Sequence, residues 1–212
     1  MLQKICDCVF NYETDAISGL VNAALAEGIP AKDILNSGLM KAMEKVGDSF
    51  REGDYFVPEM LLAAKTMTEG LEIIKPLLLD DTGEMISRGK IVIGTVQGDL
   101  HDIGKNIVAM FIEGAGYDVV DLGIDVPAAA FVEKAKEIGA DFVCISAMLT
   151  TTMKQMQIIV DMLKNEGLYG KIKPVIGGAP VTEKYANEIG ASYSFDAASA
   201  VMTLKELAET SH

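Results

Sequence analysis

The residues best suited to chemistry lie in the run Gln97-Gly98-Asp99-Leu100-His101-Asp102-Ile103-Gly104-Lys105-Asn106. His101 is the chain's sole internal histidine; the other, His212, is the last residue. In an extended loop, side chains two residues apart face the same way. Asp99 can then hold one ring nitrogen of His101 and leave the other for a metal ion. The competing use of this histidine is structural, as a cap on the helix that begins near Gly104. Two more segments carry polar or backbone-accessible groups: Ser146-Ala147-Met148-Leu149-Thr150-Thr151-Thr152 and Gly177-Gly178-Ala179-Pro180. Glycines allow close backbone approach to a bulky group, and hydroxyls bind polar appendages. The cysteines point elsewhere. Cys6 and Cys8 should face different sides of a helix, Cys144 sits in an apolar run, and none suggests a disulfide framework.

Elements must position these groups. From Lys90 onward, short apolar runs at Ile91–Val96, Val119–Leu122, Phe142–Met148, Pro174–Ile176 and Ser192–Phe195 alternate with amphipathic stretches near 104–115, 127–138, 152–166 and 182–189. Continuous apolar strands alternating with helices indicate a parallel sheet covered on both faces, here a doubly wound five-stranded α/β domain over residues 90–212. Ligands of such sheets bind beyond the carboxyl ends of the strands, where all three segments fall. Residues 1–80 read instead as a four-helix bundle. Its first helix covers about 2–11. The second has Thr14 as N-cap and a stripe of Ile17, Leu20, Val21, Ala24 and Leu25. The third carries Leu35, Leu39, Met43, Val46 and Phe50 and breaks at Gly53-Asp54. Pro58 suits the first turn of the fourth, whose stripe is Leu61, Met67, Leu71 and Ile74. The polar stretch 81–89 reads as a linker.

Composition narrows the function classes. The formal charge is −13, from 18 basic and 31 acidic side chains, and the excess is spread over both halves. A diffuse acidic surface repels nucleic acid and anionic membranes, which disfavours both as partners. No apolar run approaches a membrane span, and the first residues do not read as a signal peptide, so a cytoplasmic location is expected.

The run Asp99-x-His101-x-x-Gly104, within Gly98 to Val108, resembles the cobalamin-binding signature of methionine synthase, corrinoid methyltransferase proteins and several cobalamin-dependent mutases. Ser146-Ala147-Met148 is similar to the family's S-x-L segment, with methionine replacing leucine, and Gly177-Gly178 to its glycine pair. Met43 to Phe50 and Gly53 to Glu59 resemble a junction in the helical cap module of the same family. The resemblance is closest to the small corrinoid proteins of methanol, methylamine, glycine betaine and methoxy-aromatic methyltransferase systems.

The resemblance implies a flavodoxin-like cobalamin-binding fold behind a helical cap. It implies a cobalamin, methylcobalamin or a related corrinoid, whose cobalt takes His101 as lower axial ligand. Asp99 would hydrogen-bond His101, and Thr152 would continue the relay. Gly98, Leu100, Asp102, Gly104 and Met148 would lie against the cofactor. Ser146 and Thr150 would contact its nucleotide tail, with Gly177, Gly178 and Ala197 lining the slot. The cobalt would accept a methyl group and pass it on, with an imidazole that binds in one state and lets go in another. Protonation of the released imidazole near neutral pH would couple to that change. The bundle would shield the methyl face, and Met40, Met43, Met60 and Met67 suit a pliable apolar surface, although any single one reads more readily as an ordinary core methionine. The implied partners are a substrate-specific methyltransferase, an acceptor methyltransferase and a reductive activator. By itself the chain would be a carrier, since nothing in it resembles an activator of the methyl donor.

Three alternatives compete. A cobalamin-dependent sensor or regulatory protein would add a basic DNA-binding module, whereas residues 1–88 are acidic. A mutase cobalamin subunit would lack this helical cap. A receiver-like domain needs a phosphorylatable aspartate after the third strand, where Ser146-Ala147-Met148-Leu149 offers none.

Overall fold

The computed structural model describes residues 1–78 and 87–210. Residues 81–86 of the expected linker and His212 lie outside the described residues. Contacts group the chain into two compact units: Met1–Arg88 with Glu113–Gly116, and Gly89–Ile112 with Tyr117–His212.

The first unit is helical. It contains α1 (Leu2–Phe10), α2 (Thr14–Ala26), α3 (Ala31–Asp33), α4 (Lys41–Glu52) and α5 (Val57–Ile74). A π-helical stretch, Ile34–Met40, joins α3 to α4, so the expected third helix is one rod with a widened middle. Gly38 lies in that stretch, and a Cβ added there would meet Ile5 of α1 at 3.0 Å. Gly53, at φ +83°, ends α4 in the left-handed region that glycine enters without steric cost. Phe56 caps α5, its N–H donating to Glu59 Oε2 (3.0 Å), and Pro58 stands in the first turn.

One expectation for this unit changes, and the cysteines and methionines find their places. Thr14 does not cap α2; Glu13 precedes the helix, and the Thr14 hydroxyl pairs with Thr66 Oγ1 at 2.7 Å. A partner 52 residues away outcompeted the local amide. Cys6 and Cys8 are both buried, because α1 is packed by α2, α4, α5 and the π-helical stretch. Met40, Met43, Met60 and Met67 are likewise all buried, in keeping with ordinary core methionines.

The second unit is the sheet. Its strands are β1 (Lys90–Thr95), β2 (Asp118–Asp121), β3 (Phe142–Ser146), β4 (Lys173–Gly177) and β5 (Ser192–Tyr193), all parallel, in the order β2-β1-β3-β4-β5. Connecting them are α6 (Ile103–Gly114), α7 (Ala128–Ile138), α8 (Lys154–Asn165) and α9 (Glu183–Ile189). The three central strands bury Ile91, Val92, Ile93, Val143, Cys144, Ile145, Val175 and Ile176. Each such aliphatic side chain contributes roughly 1.5–3 kcal/mol of burial free energy. The core between sheet and helices adds Phe131, Val132, Met156, Ile159, Val160 and Leu163.

A closing helix, α10 (Ala197–Glu209), was not anticipated from the apolar pattern. Its face is largely alanine (Ala197, Ala198 and Ala200, with Leu204), which makes a weak stripe. A reciprocal cap starts it: Ser199 N–H donates to Asp196 Oδ1 (2.7 Å) and Asp196 N–H to Ser199 Oγ (2.9 Å).

The strand order fixes where the site can be. β1 connects through α6 to β2 on one flank, and β2 connects through α7 past β1 to β3 on the other. The crevice at such a switch point opens between the carboxyl ends of β1 and β3.

Candidate functional site

β1 leads into the histidine loop at the switch point. Gly98 has φ +85°, a turn that carries Asp99 inward toward the β3 side. Asp99 is fully buried, and its carboxylate accepts four hydrogen bonds. His101 Nδ1–H donates to Oδ1 at 2.7 Å and His101 N–H to the same oxygen at 3.2 Å. Met148 N–H and Thr152 Oγ1 approach Oδ2 at 2.7 and 3.0 Å. Burial alone would raise the pKa of Asp99. The bonds from Met148, His101 and Thr152 outweigh burial and hold the carboxyl at about 2.

Asp99 is therefore an anion at neutral pH and can only accept. Nδ1 of His101 must carry the ring proton, which leaves the lone pair on Nε2. That nitrogen makes no hydrogen bond among the described residues, and the side chain is 55 % exposed. The ring does not cap α6. Asp102 does the local work there, with its carbonyl accepting Asn106 N–H at 2.8 Å.

Thr152 is buried and within reach of two acceptors, Asp99 Oδ2 and the Leu149 carbonyl at 2.9 Å. β3 is two residues shorter than its apolar run suggests, because Met148 turns its N–H out of the ladder to Asp99. Met148 Sδ in turn accepts Ala179 N–H at 3.5 Å, tying this loop to the one after β4.

Across the edge the register aligns Thr95, Ser146 and Gly177 on β1, β3 and β4. Every residue of this row is small. A Cβ on Gly177 would meet the Ser194 carbonyl oxygen at 2.9 Å, and one on Gly178 would fall 1.9 Å from the Ala147 carbonyl oxygen. Gly178 also has φ +128°, so both space and backbone demand glycine there. Ala197 opens α10 just after β5 and is buried, while Leu100, Gly104 and Thr150 are exposed. Nothing lies within 4 Å of a Cβ built on Gly104, so the space beside the loop is open.

Both halves match family models described as B12 binding domains, over residues 1–75 and 89–204. The chain belongs to the B12-binding corrinoid proteins. Trimethylamine corrinoid protein 1 of Methanosarcina mazei is 40 % identical over 203 residues, 96 % of this chain and 94 % of that one. Among solved structures, a cobalamin-binding protein from Desulfitobacterium hafniense DCB-2 has a TM-score of 0.82 at 34 % identity, covering 98 % of both chains. The methanol:cobalamin methyltransferase complex MtaBC of Methanosarcina barkeri reaches 0.83 at 31 %, covering 97 % of this chain and 78 % of its own.

The residues present in this corrinoid protein fit the cofactor of its family. An imidazole nitrogen stands free and outward at the switch point. Around it the carboxyl edge exposes large apolar side chains that a soluble domain would otherwise bury: Leu100 at 68 %, Ile103 at 75 % and Phe195 at 79 %, with Ile124, Met148 and Leu149 less open. A broad macrocycle with an apolar face would cover such a rim.

Two groups near the loop escaped the sequence reading. Lys105 is buried, ion-paired to Asp121 at the end of β2, and donates to Asn106 Oδ1 at 2.7 Å. Asp125 sits at φ +54° and receives Gly98 N–H at 2.7 Å. An aspartate in Gly123-Ile124-Asp125-Val126-Pro127 was the available signal, but its meaning depends on how β1 and β2 align. No group of three or more His, Cys, Asp or Glu that could hold a metal ion occurs among the described residues.

Proposed function

We propose that this chain is a methyl carrier in which His101 Nε2 ligates the cobalt of a bound corrinoid. The observation that carries the reading is the Asp99–His101 pair at the switch point, with Nδ1 committed and Nε2 free. Bound corrinoid would supply the cobalt that takes up and gives away the methyl group. Asp99 orients the ring and fixes its tautomer. Thr152 and Met148 N–H hold Asp99 in place and keep it ionised. Gly98, Leu100, Asp102 and Gly104 would line the loop side of the corrin. Met148 would lie against the cofactor, Ser146 and Thr150 would contact its nucleotide tail, and Gly177, Gly178 and Ala197 would line the slot, where small residues leave room.

The named relatives support the same reading, since one is a trimethylamine corrinoid protein and another belongs to a methanol:cobalamin methyltransferase complex. The partners would be a substrate-specific methyltransferase, an acceptor methyltransferase and a reductive activator. Residues 1–80 would serve as the cap and 90–212 as the carrier domain, joined by 81–89. No helix of the described residues is long and apolar enough to cross a membrane.

The test is reconstitution with hydroxocobalamin followed by EPR of the cobalt(II) form. Labelling histidine alone with nitrogen-15 should turn the axial superhyperfine triplets into doublets. Unchanged triplets would refute ligation by His101. His101→Ala should lose the coupling while retaining cofactor through the tail slot.

A further inference from the structure

We infer that Asp125 is a positioning residue for His101, gripping the histidine loop from the β2 side. The inference rests on the reading of His101 as the cobalt ligand. Asp99 holds the imidazole, but something must hold Asp99's own backbone. Gly98 N–H donates to Asp125 Oδ1 at 2.7 Å, and Asp125 N–H donates to the Asp99 carbonyl at 3.1 Å. One residue thus ties the peptide that enters Gly98 and the peptide that leaves Asp99, bracketing the Gly98-Asp99 turn. Gly98, at φ +85°, is the turn being held. Asp125 itself sits at φ +54°, a region where aspartate and asparagine are the tolerated side chains. It is exposed, so packing does not account for it.

The segment that carries Asp125 is firmly sewn to β1. Thr95 N–H donates to the Gly123 carbonyl (2.9 Å), Val126 N–H to the Thr95 carbonyl (3.0 Å), and Gly123 N–H to Asp121 Oδ1 (2.8 Å). Thr95 Oγ1 reaches over to the His101 carbonyl at 2.8 Å. Asp121 also binds Lys105 just beyond the loop. The histidine loop is therefore clamped at its start by Asp125, in its middle by Thr95 and after its end by the Lys105–Asp121 pair. Met148 and Thr152 hold the Asp99 carboxylate, and the Val96 carbonyl accepts the Asp99 N–H (3.1 Å). The Asp125 clamp adds the hold on the Gly98 turn and the Asp99 carbonyl, and through them on the direction of Nε2. Without it, Asp99 and the ring can move together, so their mutual bond would survive while the ligand geometry does not.

The test compares Asp125→Gly with Asp125→Asn in the full chain. Glycine removes the carboxylate but suits the positive φ, so the fold should stand. Asparagine keeps an oxygen for Gly98 N–H and tolerates the same φ. In the cofactor-free protein, amide hydrogen exchange of a peptide spanning 97–102 should be roughly tenfold faster in Asp125→Gly, the scale of one lost charge-assisted hydrogen bond. Asp125→Asn should stay near wild type, and exchange in β4 should not change in either. After loading with hydroxocobalamin, cobalt(II) EPR at matched occupancy should show a smaller histidine-coupled fraction in Asp125→Gly and recovery in Asp125→Asn. Unchanged exchange in Asp125→Gly overturns the proposal. Full histidine coupling despite faster exchange also overturns it, since Asp125 would then be a structural contact only. A wild-type protein without histidine coupling would instead refute His101 as the ligand, and the positioning role with it.

Discussion

Replacing Asp99 by asparagine should cost stability in a pH-dependent way and move a proton on the neighbouring ring. The folded protein holds Asp99 at about 2, against 3.8 for an unperturbed aspartate. At about 1.4 kcal/mol per unit, this difference is worth roughly 2–3 kcal/mol at neutral pH. The sign follows from the lowered value. The contribution is complete above the unfolded value near 4 and disappears as pH falls through the folded value near 2. Asp99→Asn should therefore be less stable by roughly 2–3 kcal/mol at pH 7, with the gap closing between about pH 4 and pH 2. Urea denaturation of cofactor-free protein followed by far-UV circular dichroism measures it, as the chain has no tryptophan. The amide should place its oxygen on the fixed Met148 N–H and its NH2 toward His101. The ring must then accept at Nδ1 and carry its proton on Nε2, the nitrogen meant for the metal. Nitrogen-15 NMR of His101 distinguishes the two tautomers. A variant with equal stability at pH 7, or one that keeps the Nδ1–H form, would refute the account of Asp99 given above.

Thr152→Val should lose roughly 1–2 kcal/mol in the same denaturation assay by leaving Asp99 Oδ2 one donor short, and Thr152→Ser should recover most of it. Gly178→Ala should fold poorly or melt many degrees lower, because its Cβ would overlap the Ala147 carbonyl, whereas Gly104→Ala should melt near wild type. Burial pushes the Cys144 thiol up to about 12, and burial with the nearby Glu13 charge pushes Cys8 up to about 11. Neither should react appreciably with a disulfide reagent at pH 8 in the native protein, and both should titrate at once in urea.

The parts of the site legible from the sequence were those set by short-range geometry. Asp99 and His101 lie two residues apart in a loop, so their pairing needed no tertiary knowledge. Ser146 and Gly177 followed from placing their segments at the carboxyl ends of strands, whereas Thr95 beside them came only from the register. Asp125 and Lys105 were not legible in this way. Their partners lie across a strand alignment, and neither residue type announces a loop clamp. Thr14 misled for the same reason, since its hydroxyl answers to Thr66 rather than to its own helix. The closing helix was missed because alanine makes a face that packs well but shows little periodic contrast. The four methionines follow the core reading rather than the pliable-surface one, a choice the sequence left open because burial is a property of neighbours.

The open apolar rim has a consequence for the life of the chain before it acquires a cofactor. Newly made molecules carry Leu100, Ile103 and Phe195 with water on them. Two such edges meeting would cover each other, and this tendency grows with concentration. The charge of −13 opposes those encounters at long range, and that repulsion is blunted by salt. The acidic coat thus acts as a colloidal stabiliser for the empty form, keeping single molecules apart until something better fitted settles on the rim.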